Sequence, residues 1–316
     1  MNKNLVNEII NCLPKERTVF RYFKGRYAFM LLDKIIGEGV AVSNIKKTSF
    51  SSLLDKPEVK QALALAGQGI IIPKILNSVW LGDTYNFILT TGIWGSNCHR
   101  WNQTSRRGYN LVLRLNFSNQ HDGIYNKMVK PEYESLLNPY GHPVLDVNDR
   151  SYFRETLAWS RIDLDFQKNQ ALIEEVQNDW LREANDLLKD AKYNKQNKRE
   201  LANWWGSNGN LDDIIRYCEE VLKPYHKFWD EAMLAATIDF IRRELGITNI
   251  YYHSEDTGYK LKGIRHNKPP RSLYSKLPRR FCFTKTDQAP DYLYQDSYFR
   301  RVYKKVDNPH WYYMAI

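Results

Sequence analysis

The chain has 316 residues, with 46 Lys and Arg against 36 Asp and Glu for a net charge of +10; 43% of residues are apolar and 26% charged. That balance excludes a largely disordered chain, which would carry fewer apolar groups, and no run of about 18 apolar residues offers a membrane span. The four cysteines (Cys12, Cys98, Cys218, Cys282) lie too far apart for a CxxC zinc cage or a disulfide framework, and Met1–Glu8 holds no apolar signal core; both features fit a cytoplasmic protein with no membrane partner.

In chain order, Leu5, Ile9 and Leu13 mark one side of a short helix that Pro14 stops. A strand-like run, Thr18–Phe23, precedes a buried helix over Tyr27–Ile36 closed by Gly37. A further helix starts near Asp55, with Pro57 in its first turn and Gly67 as its stop. Strands are expected at Tyr85–Thr91 and Tyr109–Phe117, and the Asn-, Pro- and Tyr-rich stretch 118–153 reads as long loops. Two alternating runs, Thr156–Phe166 and Ala171–Gln177, joined by Gln167-Lys168-Asn169, give a hairpin. Trp180, Ala184, Leu187 and Leu188 then mark a helix that dissolves into the polar stretch Lys192–Arg199, a candidate boundary. A long helix carries Trp229, Met233, Ala236 and Phe240 on one stripe, ends at Gly246, and leads into a strand over Ile247–His253. The pattern predicts an α+β fold: a mixed or antiparallel sheet with a central hairpin and surrounding helices. Its expected parts are a helical N-terminal region (1–75), an α+β core (76–256) containing the hairpin 156–177, and a basic, aromatic-rich C-terminal region (257–316).

Charge is concentrated in that last region. Between Thr257 and Ile316 there are thirteen Lys and Arg but four Asp and Glu, interleaved with twelve aromatic residues. Cations for phosphates and rings for bases are the ingredients of single-strand nucleic-acid binding, with Arg106, Arg107, Arg279, Arg280, Arg300 and Arg301 as the candidate contacts. The same electrostatics would suit an antitoxin or another acidic protein. A packed, Tyr-rich region with a solvated basic face is the alternative.

The hairpin is the candidate chemical site. Arg161, Asp163 and Asp165 share one strand face while Ile162, Leu164 and Phe166 point to the core; Glu175 and Gln177 share a face of the partner strand. With a three-residue turn, Arg161 lies opposite Glu175 and Asp163 is its diagonal neighbour. Asp163, Asp165, Glu175 and Gln177 could hold Mg²⁺ for phosphodiester cleavage, with Gln177 where nucleases of this type carry Lys. Alternatively Glu175 could stabilise an oxocarbenium-like ribose while NAD is split, with Arg21 on the phosphates and Thr90 or Thr91 shaping the nicotinamide pocket. The order Arg21, Thr90, Glu175 is similar to the Arg, Ser/Thr, Glu order of ADP-ribosyltransferases. The bland alternative is an exposed ion-pair ladder worth less than about 1 kcal/mol per pair. The seven histidines show no HxxxH or HExxH spacing, so a cage made of His alone is not expected.

Ala171-Leu-Ile-Glu-Glu-Val-Gln-Asn-Asp-Trp180 resembles the "IEEIQSDW" signature of an uncharacterised domain in phage and prophage polyvalent proteins. Glu155–Asp163 upstream, Gly246–Tyr251 downstream and Ser272–Pro278, similar to that family's "FYDKxLP" element, extend the resemblance over roughly residues 155–285. It implies a phage–host conflict setting, such as a toxin or phage-defence protein, and brings no catalytic residues with it. The helix–strand ending is also faintly similar to N-acetyltransferases, without their Arg/Gln-x-x-Gly-x-Gly/Ala loop. The expectation is a phage-associated enzyme acting on nucleic acid, with NAD-dependent ADP-ribosyl transfer first. A metal-dependent nuclease and a non-catalytic nucleic-acid- or antitoxin-binding module are the alternatives.

Overall fold

The alternation in the hairpin residues reflects their place at the middle of an eight-stranded sheet, where both faces are covered and nearly every side chain is buried. The computed structural model describes residues 1–13, 18–66, 69–79, 82–96, 102–133, 136–139, 141–145, 154–199, 206–264 and 269–316. Its strands are β1 (Thr18–Tyr22), β2 (Val40–Ala41), β3 (Ile70–Ile71), β4 (Tyr85–Trp94), β5 (Asn110–Asn116), β6 (Thr156–Asp165), β7 (Gln170–Gln177), β8 (Asn249–His253), β9 (Thr284–Thr286) and β10 (Trp311–Ala315). The large sheet runs β1-β4-β5-β6-β7-β8-β10-β9, and β2 and β3 pair apart from it. All its neighbours are antiparallel except β7 and β8. That parallel step is made possible by the long crossover through the helices Trp180–Gln196, Leu211–Arg216 and Lys223–Arg243. The fold is α+β with a mixed sheet.

One face of the sheet carries Leu111, Leu113, Leu115, Ile162, Ile173, Val176, Ile250 and Tyr252 into the main core. The helix Lys223–Arg243 packs across β5, β6 and β7 on this side, burying Ala232, Met233, Leu234, Ala236 and Phe240. The other face is divided. Leu172, Tyr251 and Trp311 form a second apolar cluster with Leu261, Tyr292, Leu293 and Phe299, while β5, β6 and β7 present polar groups beside it.

The three regions expected from composition share this one sheet. β1 comes from the N-terminal region, and β9 and β10 come from the basic C-terminal region. The helix Trp180–Gln196 runs through much of the supposed boundary at 192–199. Within the stretch expected to be loops, Asn119–Met128 is helical: the Ser118 side chain accepts from His121 N–H and caps it, and His121, Tyr125 and Met128 face inward. Phe166 does not reach the core. It lies in the turn, 46% exposed. Pro14, Gly67, Cys98, His99 and His266, named in the sequence, lie outside the described residues. No helix among the described residues is long and apolar enough to cross a membrane.

Candidate functional site

The hairpin turn has four residues, since Asp165 faces Gln170; Asn169 closes it at φ 51°, a conformation Asn tolerates better than most residues. One extra turn residue would move Arg161 off Glu175. A β-bulge restores the pair: Ile162 faces Ile173, Arg161 faces Glu175, and Glu174 is the unmatched residue. The expected pairing therefore arises from two departures that cancel. The bulge also turns both glutamates to the polar face, where each finds its own partners.

Glu175 pairs with Arg161, whose guanidinium also donates to the carbonyls of Asn102 (2.8 Å) and Gln103 (3.1 Å) and lies 5.0 Å from the Trp94 ring. The Lys262 ammonium is 3.9 Å from Glu175 and donates to the Glu174 carbonyl at 2.9 Å. Glu174 accepts from Ser105 N–H (3.0 Å) and Ser105 Oγ (2.8 Å) and lies 3.0 Å from His253 Nε2. Ser105 Oγ and His253 Nε2 are 2.6 Å apart. Asp163 takes both Arg106 Nε (2.6 Å) and Nη2 (2.9 Å), together with the amino group of Met1 (3.2 Å). Arg106 in turn lies 4.3 Å from the Tyr292 ring.

These groups are buried: Ser105, Asp163, Glu174 and His253 have no exposed surface, and Arg161, Glu175 and Lys262 have at most 4%. Burial by itself would raise the Glu174 carboxyl; the His253 hydrogen bond and the nearby cations outweigh it and hold Glu174 at about 2. Glu175 is lowered on the same balance, with Lys262 and Arg161 opposing burial. Burial lowers His253, and Nδ1 finds no acceptor among the described residues, so the ring is neutral with its proton on Nε2. Serine and carboxylate thus meet the same ring nitrogen. A catalytic relay requires the two on opposite nitrogens; this is a closed packing network.

The other expected site residues are dispersed. Arg21 is exposed on edge strand β1, four strand steps from Glu175, or about 19 Å at normal strand spacing. Thr90 and Thr91 are three steps away. Thr90 Oγ1 accepts from Asn116 Nδ2 at 2.9 Å, and the Thr91 carbonyl accepts from Arg114 Nη1 at 2.8 Å. The geometry does not assemble Arg21, Thr90 or Thr91 with Glu175. Gln177 Nε2 donates to Asp179 Oδ1 at 2.8 Å, away from Asp163. Asp165 accepts from Lys168 N–H at the turn. Two of the carboxylates proposed for Mg²⁺, Asp163 and Glu175, are already matched by protein cations, and among the described residues no group of three His, Cys, Asp or Glu is placed to hold a metal ion.

The basic region divides sharply. Of its twelve aromatic residues, Tyr259, Tyr274, Phe281, Phe283, Tyr292, Phe299, Trp311 and Tyr312 are buried, and Tyr294 is the most open at 44%. The rings form core instead of a stacking platform. Arg280 is drawn to Asp230 (3.5 Å) and Glu231 (3.3 Å), and Arg106 to Asp163. By contrast Arg107, Arg279, Arg300, Arg301, Lys304 and Lys305 are exposed. Arg107, Lys3 and Arg106 line an open cleft of about 690 Å³ that reaches Gln295 and Asp296.

Sequence reading missed Ser105, Glu174, His253 and Lys262. Glu174 was readable as a neighbour of Glu175 on the wrong face, and its true direction depends on the bulge. No family model matches the chain, and neither the curated proteins nor the solved structures yielded a match.

Proposed function

We propose that this protein is a nucleic-acid-binding module that grips phosphates through its exposed cations, while the charges of the hairpin hold its interior together. One observation carries the reading: the cations are split into a buried set, each matched to a carboxylate or carbonyl, and a surface set around Arg107, Arg300, Arg301, Lys304 and Lys305. The burial of the aromatic residues sharpens it. With eight of the region's twelve rings buried, binding rests mainly on the phosphate backbone, so a single strand gains little over a duplex. The reading agrees with the phage and prophage setting that the resemblance around Ala171–Trp180 implies, and it needs neither NAD nor Mg²⁺.

Fluorescence anisotropy with labelled 20-nucleotide single strands and duplexes across a KCl series tests it. If about four phosphates are neutralised, affinity falls about 10²-fold between 50 and 200 mM salt. Arg300→Glu/Arg301→Glu should weaken binding to every sequence equally and flatten the salt dependence. Absence of binding at 50 mM salt, or binding indifferent to salt, refutes the proposal. A marked preference for single strands refutes the backbone-only form of it.

A further inference from the structure

Asp179 stands where the helix Trp180–Gln196 begins, a position at which Asp ordinarily accepts a first-turn N–H. Its side chain makes no such bond; the neighbouring Asn178 Oδ1 accepts from Leu181 N–H instead, at 2.7 Å. The Asp179 carboxylate is committed elsewhere. Oδ2 accepts from His142 Nδ1 (2.8 Å) and Trp159 Nε1 (2.9 Å), and Oδ1 from Gln177 Nε2 (2.8 Å) and Arg182 Nη2 (2.8 Å). Two donors on each oxygen complete the capacity of an ionised carboxylate. Burial alone would raise this group; His142, Trp159 and Gln177 more than offset it and keep it charged.

An ionised, 1% exposed carboxylate on Nδ1 fixes the proton of a neutral imidazole there, leaving the lone pair on Nε2. The His142 side chain is one-third exposed, and Nε2 has no partner among the described residues. The segment that carries it is held from the sheet. Arg114 Nε donates to the Pro143 carbonyl at 2.8 Å while Nη1 is tied to Thr91, and Leu145 N–H donates to Thr156 Oγ1 at 3.0 Å. Thr156 is bonded to Asn116, and Asn116 to Thr90. A fixed ring with an outward lone pair is the arrangement of a general base.

We infer that His142 is a general base, positioned by Asp179, that takes the 2′-hydroxyl proton of RNA. The choice of substrate rests on the nucleic-acid reading above: of the two nucleic acids, RNA brings its own hydroxyl beside each phosphate. His142 Nε2 accepts the 2′-hydroxyl proton, the 2′-oxygen bonds to the adjacent phosphorus, and the bond from phosphorus to the 5′-oxygen breaks. The 5′-oxygen takes a proton from water, and the imidazolium returns its own to the hydroxide formed. The products are a 2′,3′-cyclic phosphate and a 5′-hydroxyl, with nothing oxidised or reduced.

The test incubates the full chain, in EDTA, with an end-labelled RNA and the DNA of the same sequence, and measures anisotropy on both. Cleavage of RNA alone, leaving cyclic phosphate ends and falling 10²–10⁴-fold in His142→Ala, is the expected result. Asp179→Asn should lower kcat with KM unchanged, and ring ¹⁵N shifts of the wild-type protein should show the proton on Nδ1. His142→Gln, at a one-third exposed site, should fold and bind RNA as the wild type does while remaining inactive. RNA that is bound but left intact overturns this inference and leaves the binding proposal standing; RNA neither bound nor cut overturns both. Equal cleavage of DNA, or a proton on Nε2, overturns the assignment of His142.

Discussion

Replacing Arg161 by Met removes the most heavily engaged cation of the interior. The side chain is 1% exposed, and its loss leaves Glu175 with Lys262 at 3.9 Å as its remaining cation. The Asn102 and Gln103 carbonyls lose their donor in the same step. Breaking one side of a buried ion pair costs about 3–5 kcal/mol, because the stranded charge stays out of water. Unfolding entropy of about 2.1 cal/mol/K per residue, over 316 residues, gives roughly 0.7 kcal/mol per degree, so Tm should fall by about 5–8 °C. Calorimetry or a urea melt reads this directly. Arg161→Met/Glu175→Met should be more stable than Arg161→Met alone, since the unpaired carboxylate is gone. A drop under about 2 °C in the single variant would mean that the pair behaves as a solvated surface ladder, and the argument for a structural hairpin would fail.

Two further outcomes follow from the same interior. Acid should lower stability in two steps. Burial holds His121 at about 3, so below pH 6.5 the unfolded chain takes up a proton that the folded one refuses, and stability falls by up to about 1.4 kcal/mol per pH unit. His253 is lowered in the same direction. Glu174, held at about 2, adds a second loss as pH drops from the ordinary carboxylate range toward 2; a stability curve flat from pH 7 to 4 would refute the histidine reading, and one with no added loss below pH 4 the Glu174 reading. Separately, Gly92→Val should detach the His142 segment, because a Cβ at Gly92 meets the Arg114 guanidinium that holds Pro143. The expected sign is faster proteolysis within 141–145 with the sheet intact by circular dichroism. Unchanged proteolysis would show that Arg114 is not what anchors the segment.

The hairpin and the α+β class were legible because alternation is a local signal that survives burial; the Arg161–Glu175 pair was reached only because the longer turn and the bulge cancel. Phe166 and the loop reading of 119–128 misled for opposite reasons: an apolar residue was taken for core where a turn left it in water, and a polar helix was hidden by composition. Glu174 was out of reach because a bulge leaves no mark on residue type. The aromatic, basic C-terminal region showed that composition does not separate rings that stack on a ligand from rings that fill a core. Lys262 and His253 come from elements about 80 residues from the hairpin, and only the sheet order brings them to it. The His142–Asp179 pair joins a loop to a helix start 37 residues on, and its one written clue was an Asp at a cap position with Asn178 beside it.

Among the described strands, the last in chain order is not at the border of the sheet. β10 inserts between β8 and β9, and Trp311 comes to lie against the His253 ring, 4.6 Å between centroids. During synthesis, every nascent chain therefore passes through a stage in which β8, with β7 on one side, has an open edge on the other until residues 311–315 leave the ribosome. Open edges of this kind invite pairing with other chains. A released chain truncated shortly before Trp311 would have most of its core residues and one unpaired seam, the form in which a chaperone, or a neighbouring copy, would meet it.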